Sequence, residues 1–70
     1  MSIYEMSWRV MQETYAYEYM MWDIMNQYNK KYPNYQAKWN NLYVDMKLKD
    51  NHIYKVMDKI FDKLSSLDAR

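Results

Sequence analysis

The most constraining feature of this sequence is that none of its 70 residues is glycine and only one, Pro33, is proline. The tight turns that join β-strands depend on glycine, and strict alternation of apolar and polar residues is also missing. Helices tolerate the absence of glycine well, because glycine costs free energy in a helix interior. The sequence therefore predicts an all-α fold.

The length predicts one domain covering residues 1–70. Such a chain buries only about 60% of the surface that its unfolded form exposes, so we expect a second copy or a partner to add stability. The lack of cysteine excludes disulfides and thiolate metal sites. We find no secretory signal and no apolar run long enough for a membrane span, so we expect a cytoplasmic protein with no membrane partner.

The first half of the chain has the pattern of one long helix. Ser2 followed by Glu5 matches a capping box, and apolar residues keep helical spacing from Ile3 to about Lys30. They occupy an arc of roughly 220°, which is wider than one partner helix can cover. Lysines followed by Pro33 and Asn34 predict a reversal of the chain after this helix.

The second half contains apolar residues spaced by seven in unbroken phase: Trp39, Met46, Ile53, Ile60 and Leu67. This phase predicts a second continuous helix from Asn34 to Leu67. The two long helices would form a hairpin, and two hairpins would pair into an antiparallel four-helix bundle, a homodimer. In the alternative, Asp50-Asn51 ends a helix and the chain is a monomeric three-helix domain.

The two halves differ in charge. Four acidic side chains and one arginine precede residue 30, a net charge of −3, whereas residues 30–70 carry nine basic and five acidic side chains, a net charge of +4. An acidic helix lying antiparallel to a basic one would explain this difference. A basic surface for an anionic partner is the other interpretation.

The sequence lacks the residues that most enzymes need. His52 is the single imidazole, no cysteine can pair with it, and a glycine-rich phosphate loop is impossible. We therefore expect no enzymatic activity, no catalytic residue, no metal and no cofactor.

The apolar residues are instead of the kinds found at protein interfaces, with eight Met, nine Tyr and three Trp. Glu18 is predicted near the centre of the apolar arc, where it either pairs within the fold or meets a basic group of a partner. The seven-residue spacing of Trp8, Tyr15 and Trp22 is likewise typical of a core stripe or of a binding surface. The predicted partner-binding residues are Trp8, Tyr15, Glu18, Tyr19, Trp22 and Asp23.

These features favour a small regulator, an inhibitor or adaptor, that binds a host or cognate protein stoichiometrically. The excess of residues with AT-rich codons suggests a phage or plasmid gene. The alternative is a dimeric RNA- or DNA-binding regulator that uses lysines: Lys30, Lys31, Lys38, Lys55, Lys59 and Lys63. The overall charge of only +1, and the interruption of the last lysines by Asp58 and Asp62, weigh against nucleic acid.

Overall fold

The first helix begins where the sequence predicts. In the computed structural model, which describes residues 2–68, the Oγ of Ser2 accepts a hydrogen bond from the amide of Glu5 at 3.2 Å. This bond satisfies one of the free amides at the start of a helix. Helix α1 spans Ile3–Tyr15, and the amide of Ala16 closes it on the carbonyl of Gln12 at 3.2 Å.

The prediction of one helix from Ile3 to Lys30 is wrong, because the chain turns at residues 16–18. Glu18 has an extended backbone, and helix α2 spans Tyr19–Lys31. An uninterrupted helix of 28 residues would be about 42 Å long, whereas the longest extent of the molecule is 34 Å. The turn divides the wide apolar arc between two shorter helices, so that each can bury its own share against the rest of the chain.

The predicted reversal at residues 30–34 is confirmed. Tyr32 ends α2 in an extended conformation, and Asn34 caps the next helix by accepting a hydrogen bond from the amide of Ala37 at 3.1 Å. Helix α3 spans Tyr35–Leu48 and contacts α2.

The predicted continuous helix from Asn34 to Leu67 is also interrupted. The amide of Asp50 bonds to the carbonyl of Lys47 at 3.1 Å, and that of Asn51 bonds to Met46 at 2.9 Å. These two bonds form a Schellman motif, in which the residue after the helix is left-handed. Asp50 takes that position with a φ of 54°. Helix α4 follows at Ile53–Asp68, so the break that the three-helix alternative placed at Asp50-Asn51 is present.

The prediction of an all-α fold is confirmed, with four helices and no strand between residues 2 and 68. Helix α1 packs against α3 and α4, which also pack against each other, and α2 packs against α1 and α3. The buried core consists of five methionines, two tryptophans, one leucine and one isoleucine: Trp8, Met11, Met21, Met25, Trp39, Leu42, Met46, Met57 and Ile60. The bundle therefore forms within one chain, and the pairing of two copies remains a proposal.

Candidate protein-binding site

The most exposed apolar side chains surround the turn between α1 and α2. Tyr17 is 79% exposed, Tyr19 87%, Met20 71% and Trp22 52%. Two acidic residues, Glu18 and Asp23, lie among them and are also exposed. We call this set the acidic aromatic patch: Tyr17, Glu18, Tyr19, Met20, Trp22 and Asp23.

Helical phase explains why these residues face away from the core. Met21 and Met25, one turn apart on α2, are both almost completely buried. At 100° per residue, Tyr19 and Asp23 then lie on the opposite side of α2, and Trp22 lies on its flank, where it is half exposed. The patch is therefore a consequence of how the two methionines anchor the helix.

Glu18 occupies a different environment from the one predicted. It is the N-cap residue of α2, with an extended backbone, and its side chain makes no capping hydrogen bond. Its carbonyl begins the helix by accepting from the amide of Trp22 at 2.9 Å. The prediction that Glu18 lies at the centre of a helical apolar arc is wrong, because the helix is interrupted there. Glu18 is exposed instead, and it lines a small surface pocket together with Tyr15 and His52.

The structure separates the predicted partner-binding residues into three groups. Glu18, Tyr19, Trp22 and Asp23 lie together in the patch, and Tyr15 is half-buried at the end of α1. Trp8 is only 1% exposed and belongs to the core. A partner cannot reach its indole without unfolding α1. Trp8 and Trp22 therefore do not share a surface, although an unbroken helix would have placed them on one side.

The patch also contains two residues that the predicted set omitted, Tyr17 and Met20. The relevant signal was in the sequence, because tyrosines at positions 15, 17 and 19 cannot all face one interior. At least one of them had to be exposed, but only the position of the turn determines which.

Among residues 2–68, no basic side chain forms an ion pair with the acidic groups of the patch. The carboxylate of Asp23 accepts a hydrogen bond from the side-chain Nε2 of Gln27 at 3.1 Å. The one ion pair in the described part of the chain joins Arg9 to Glu5 at 3.5 Å. Residues 17–23 contain no basic side chain, so the patch combines apolar surface with uncompensated negative charge.

The lysines of the nucleic-acid alternative do not form one surface. Lys38 is only 7% exposed, with its Nζ 4.2 Å from the centre of the Tyr35 ring and 5.9 Å from that of Trp8. Its alkyl chain is core and its ammonium group is held over aromatic rings. Lys30 and Lys31 end α2, whereas Lys55, Lys59 and Lys63 are exposed on α4. The backbone of α2 does not come close to that of α4.

Two tyrosines bond to aspartates and connect helices. The hydroxyl of Tyr28 on α2 donates to Asp45 on α3, and that of Tyr43 on α3 donates to Asp58 on α4 at 3.4 Å. Burial, and next the hydrogen bond to Asp45, raise the pKa of Tyr28 well above its usual value. Partial burial, followed by the charge of Asp58, raises the pKa of Tyr43. These tyrosines are therefore neutral hydrogen-bond donors that hold α3 to its neighbours.

Residues 2–68 contain no cluster of metal ligands and no helix that could span a membrane. No three His, Asp or Glu side chains in this range come together as a metal site. None of the four helices has the length and apolar character needed to cross a bilayer. His52 is exposed in the turn between α3 and α4.

Comparisons with protein-family models, with curated proteins and with solved structures find no match for this chain.

Proposed function

We propose that this chain is a non-enzymatic regulator that binds another protein stoichiometrically through the acidic aromatic patch, as an inhibitor or adaptor. The observation that carries this proposal is the concentration of exposed apolar surface. Within residues 2–68, seven large apolar side chains are exposed, and four of them fall in the six residues from Tyr17 to Trp22. Contiguous exposed apolar surface on a small protein typically marks an interaction site.

The residue types in the patch suit this function. Tryptophan and tyrosine supply most of the binding energy at many interfaces, and methionine adapts to irregular surfaces. Tyr19 and Trp22 are both exposed and lie three residues apart on α2, a spacing at which helices present anchors to a groove.

The charge of the patch indicates the chemistry of its partner. Glu18 and Asp23 are exposed, without a basic neighbour in the patch. Acidic groups around apolar anchors favour a partner whose docking surface is basic around an apolar depression, and they accelerate the encounter. We therefore propose a protein partner with such a surface, and stoichiometric occlusion of that surface as the mechanism.

The test compares three forms of the protein as bait in an extract of the organism that encodes it. These are the unchanged chain, the double variant Tyr19→Ser with Trp22→Ser, and a matched control, Val44→Ser with Leu48→Ser. The control removes two exposed apolar side chains from α3 instead. A protein retained by the first and third baits, but not by the second, is then purified and titrated directly.

We expect the patch variant to bind the purified partner at least about tenfold more weakly, because loss of a central aromatic anchor costs more than about 1.4 kcal/mol. The control should bind as the unchanged protein does. Equal affinity of the patch variant and the unchanged protein would refute the proposal.

Salt dependence distinguishes this function from the nucleic-acid alternative. Binding of RNA or DNA by the α4 lysines would weaken steeply with rising salt and would be unaffected by Tyr19→Ser with Trp22→Ser. Binding through apolar anchors should largely persist in high salt. Retention of nucleic acid that disappears with Lys55→Gln, Lys59→Gln and Lys63→Gln would support the alternative.

A further inference from the structure

A second surface feature lies next to the patch, in the form of an open groove between α1 and α4. Its volume is about 400 Å³. Apolar side chains from both helices form most of its lining, and two lysines of α4 complete it: Val10, Thr14, Tyr15, Lys59, Ile60, Lys63 and Leu64. We call it the α1–α4 groove.

The charge of this groove is opposite to that of the patch. Lys59 and Lys63 are one helical turn apart, exposed, and not in an ion pair with any described residue. No acidic side chain lines the groove. An occupant with apolar groups and two carboxylates would therefore neutralise both lysines while it covers Ile60 and Leu64.

The acidic aromatic patch has these properties. Glu18, the N-cap residue of α2, and Asp23 are five residues apart, which corresponds to about 7.5 Å along the axis of α2 and about 140° around it. Lys59 and Lys63 are four residues apart, or about 6 Å. The long lysine side chains can accommodate the difference. Tyr19 and Trp22 supply apolar surface between and beside the two carboxylates.

The patch does not fill the groove of its own chain, because the backbone of α2 stays apart from that of α4, and Glu18 lies near His52 and Ile53 at the start of α4 rather than near Lys59 and Lys63. A second copy can supply it. Tyr15 lines the groove and also lines a smaller pocket together with Glu18 of the patch, so the two features adjoin at the end of α1. When complementary features adjoin in this way, one two-fold rotation brings each patch against the groove of the other copy.

We propose that this chain forms a two-fold symmetric dimer in which the acidic aromatic patch of each copy occupies the α1–α4 groove of the other. Glu18 and Asp23 of one copy face Lys59 and Lys63 of its partner, and the same contacts recur across the axis. This dimer differs from paired helical hairpins, because each copy is already a complete four-helix bundle.

The dimer has a regulatory consequence, which rests on the proposed function. The patch that binds the partner protein is covered in the dimer, so dimerisation and partner binding exclude each other. The dimer is then an inactive form, and only the monomer binds the partner protein.

The test uses two charge-reversed double variants: Lys59→Glu with Lys63→Glu, and Glu18→Lys with Asp23→Lys. All four side chains are exposed, so circular dichroism should show an unchanged fold. Sedimentation over a concentration series from about 10 μM to about 1 mM should show a dimer for the unchanged protein. For each variant alone, like charges meet at both interfaces, and we expect dimerisation to weaken at least about tenfold.

An equimolar mixture of the two variants provides the decisive measurement. In the mixed dimer, glutamates of one groove meet lysines of the other patch, and the unchanged groove meets the unchanged patch. We therefore expect the mixture to dimerise like the unchanged protein. The matched control, Lys30→Glu with Lys31→Glu, makes the same change in charge at the end of α2 and should leave the dimer intact.

A second measurement needs no variant. Carbodiimide treatment of a mixture of unlabelled and isotope-labelled protein should link Glu18 or Asp23 of one copy to Lys59 or Lys63 of the other. A monomer at every concentration, a dimer insensitive to the reversals, or a mixture that does not recover dimerisation would each overturn the proposal.

The two proposals fail in different ways. If the dimer is absent but the partner protein binds, only the proposal of an inactive dimer is refuted. If the dimer forms as proposed but no protein depends on Tyr19 and Trp22, the proposed function is refuted. The monomeric variant Lys59→Glu with Lys63→Glu should bind the partner at least as tightly as the unchanged chain, since its patch is always free.

Discussion

Tyr28 on α2 donates its phenolic hydrogen to the carboxylate of Asp45 on α3, across the reversal at Pro33. The ring of Tyr28 also stacks on Tyr32 with 5.8 Å between ring centres. This relationship matters for the patch, because α2 packs only against α1 and α3. The bond to Asp45 and the burial of Met21 and Met25 together hold the outer side of α2 in position.

Replacing Tyr28 with Phe should destabilise the protein by about 1–2 kcal/mol, since a hydrogen bond to a charged group is lost and Asp45 must be hydrated in its place. Tyr17→Phe is the matched control, because the hydroxyl of Tyr17 is on an exposed ring. Urea unfolding followed by circular dichroism measures both. Equal midpoints for the two variants would show that the bond contributes nothing to stability.

The same bond predicts a loss of stability in alkaline solution. Burial, the hydrogen bond and the charge of Asp45 raise the pKa of Tyr28 above its value in the unfolded chain, which is about 10. The folded state therefore holds this proton more tightly than the unfolded state does. The resulting stabilisation is complete below about pH 10 and is lost as the pH rises through the higher pKa of the folded state.

We accordingly expect the free energy of unfolding to fall between about pH 10 and pH 12, and to fall less steeply in Tyr28→Phe. Tyr43, whose pKa is also raised, should account for part of the slope that remains. A series of urea titrations at fixed ionic strength gives the comparison. Identical slopes for the variant and the unchanged protein would contradict the assignment to Tyr28.

Substitution of Trp8 should lower the stability of the protein far more than substitution of Trp22. Trp8→Ala opens a cavity in the core and should lower the free energy of unfolding by about 3–5 kcal/mol. This loss is comparable to the whole stability of a small domain. Trp22→Ala removes a half-exposed ring and should change stability by no more than about 0.5 kcal/mol. Acrylamide quenching provides an independent check, since Trp22→Phe should remove the accessible fluorescence while Trp39→Phe should not. Strong protection of Trp22 in a monomer would contradict its place in the patch.

The sequence predicts those parts of the fold that depend on neighbouring residues. Ser2 caps α1 through an amide three residues away, and Asn34 caps α3 in the same way. Pro33 separates α2 from α3 for an equally local reason. These signals required no knowledge of tertiary contacts.

The turn at residues 16–18 depends instead on what the rest of the chain can cover. No proline or glycine marks it, and the helical spacing continues through it. Lys38 is a similar case, because its burial depends on Trp8, which is 30 positions earlier in the sequence. The sequence could predict that some aromatic and acidic residues of the first half form an exposed surface. Which residues belong to that surface depends on the position of the turn.

Ser7 gives a fourth prediction, because its hydroxyl is completely buried and has no hydrogen-bond partner in the described structure. A buried polar group without a partner costs about 1–3 kcal/mol. Ser7→Ala should therefore leave stability unchanged or raise it by up to about 1 kcal/mol, after allowance for the volume lost. Thermal unfolding of this variant, with the exposed Ser65→Ala as control, tests the expectation. Destabilisation by Ser7→Ala would mean that the hydroxyl is hydrogen-bonded in solution.

Asp50 is the place where the lack of glycine is most costly. Its φ of 54° lies in the left-handed region, which glycine adopts without strain and which other residues enter at a cost. Asp50→Gly should stabilise the protein by about 0.5–1 kcal/mol, because the relief of strain exceeds the extra entropy of the unfolded chain. Asp50→Asn should be close to neutral, and Asp50→Val should destabilise by more than about 1 kcal/mol, since a β-branched residue disfavours this conformation. The order Gly, Asn, Asp, Val in the midpoints of urea unfolding would show that the Schellman motif ends α3 in solution, whereas midpoints independent of the residue would mean that α3 and α4 join there as one helix.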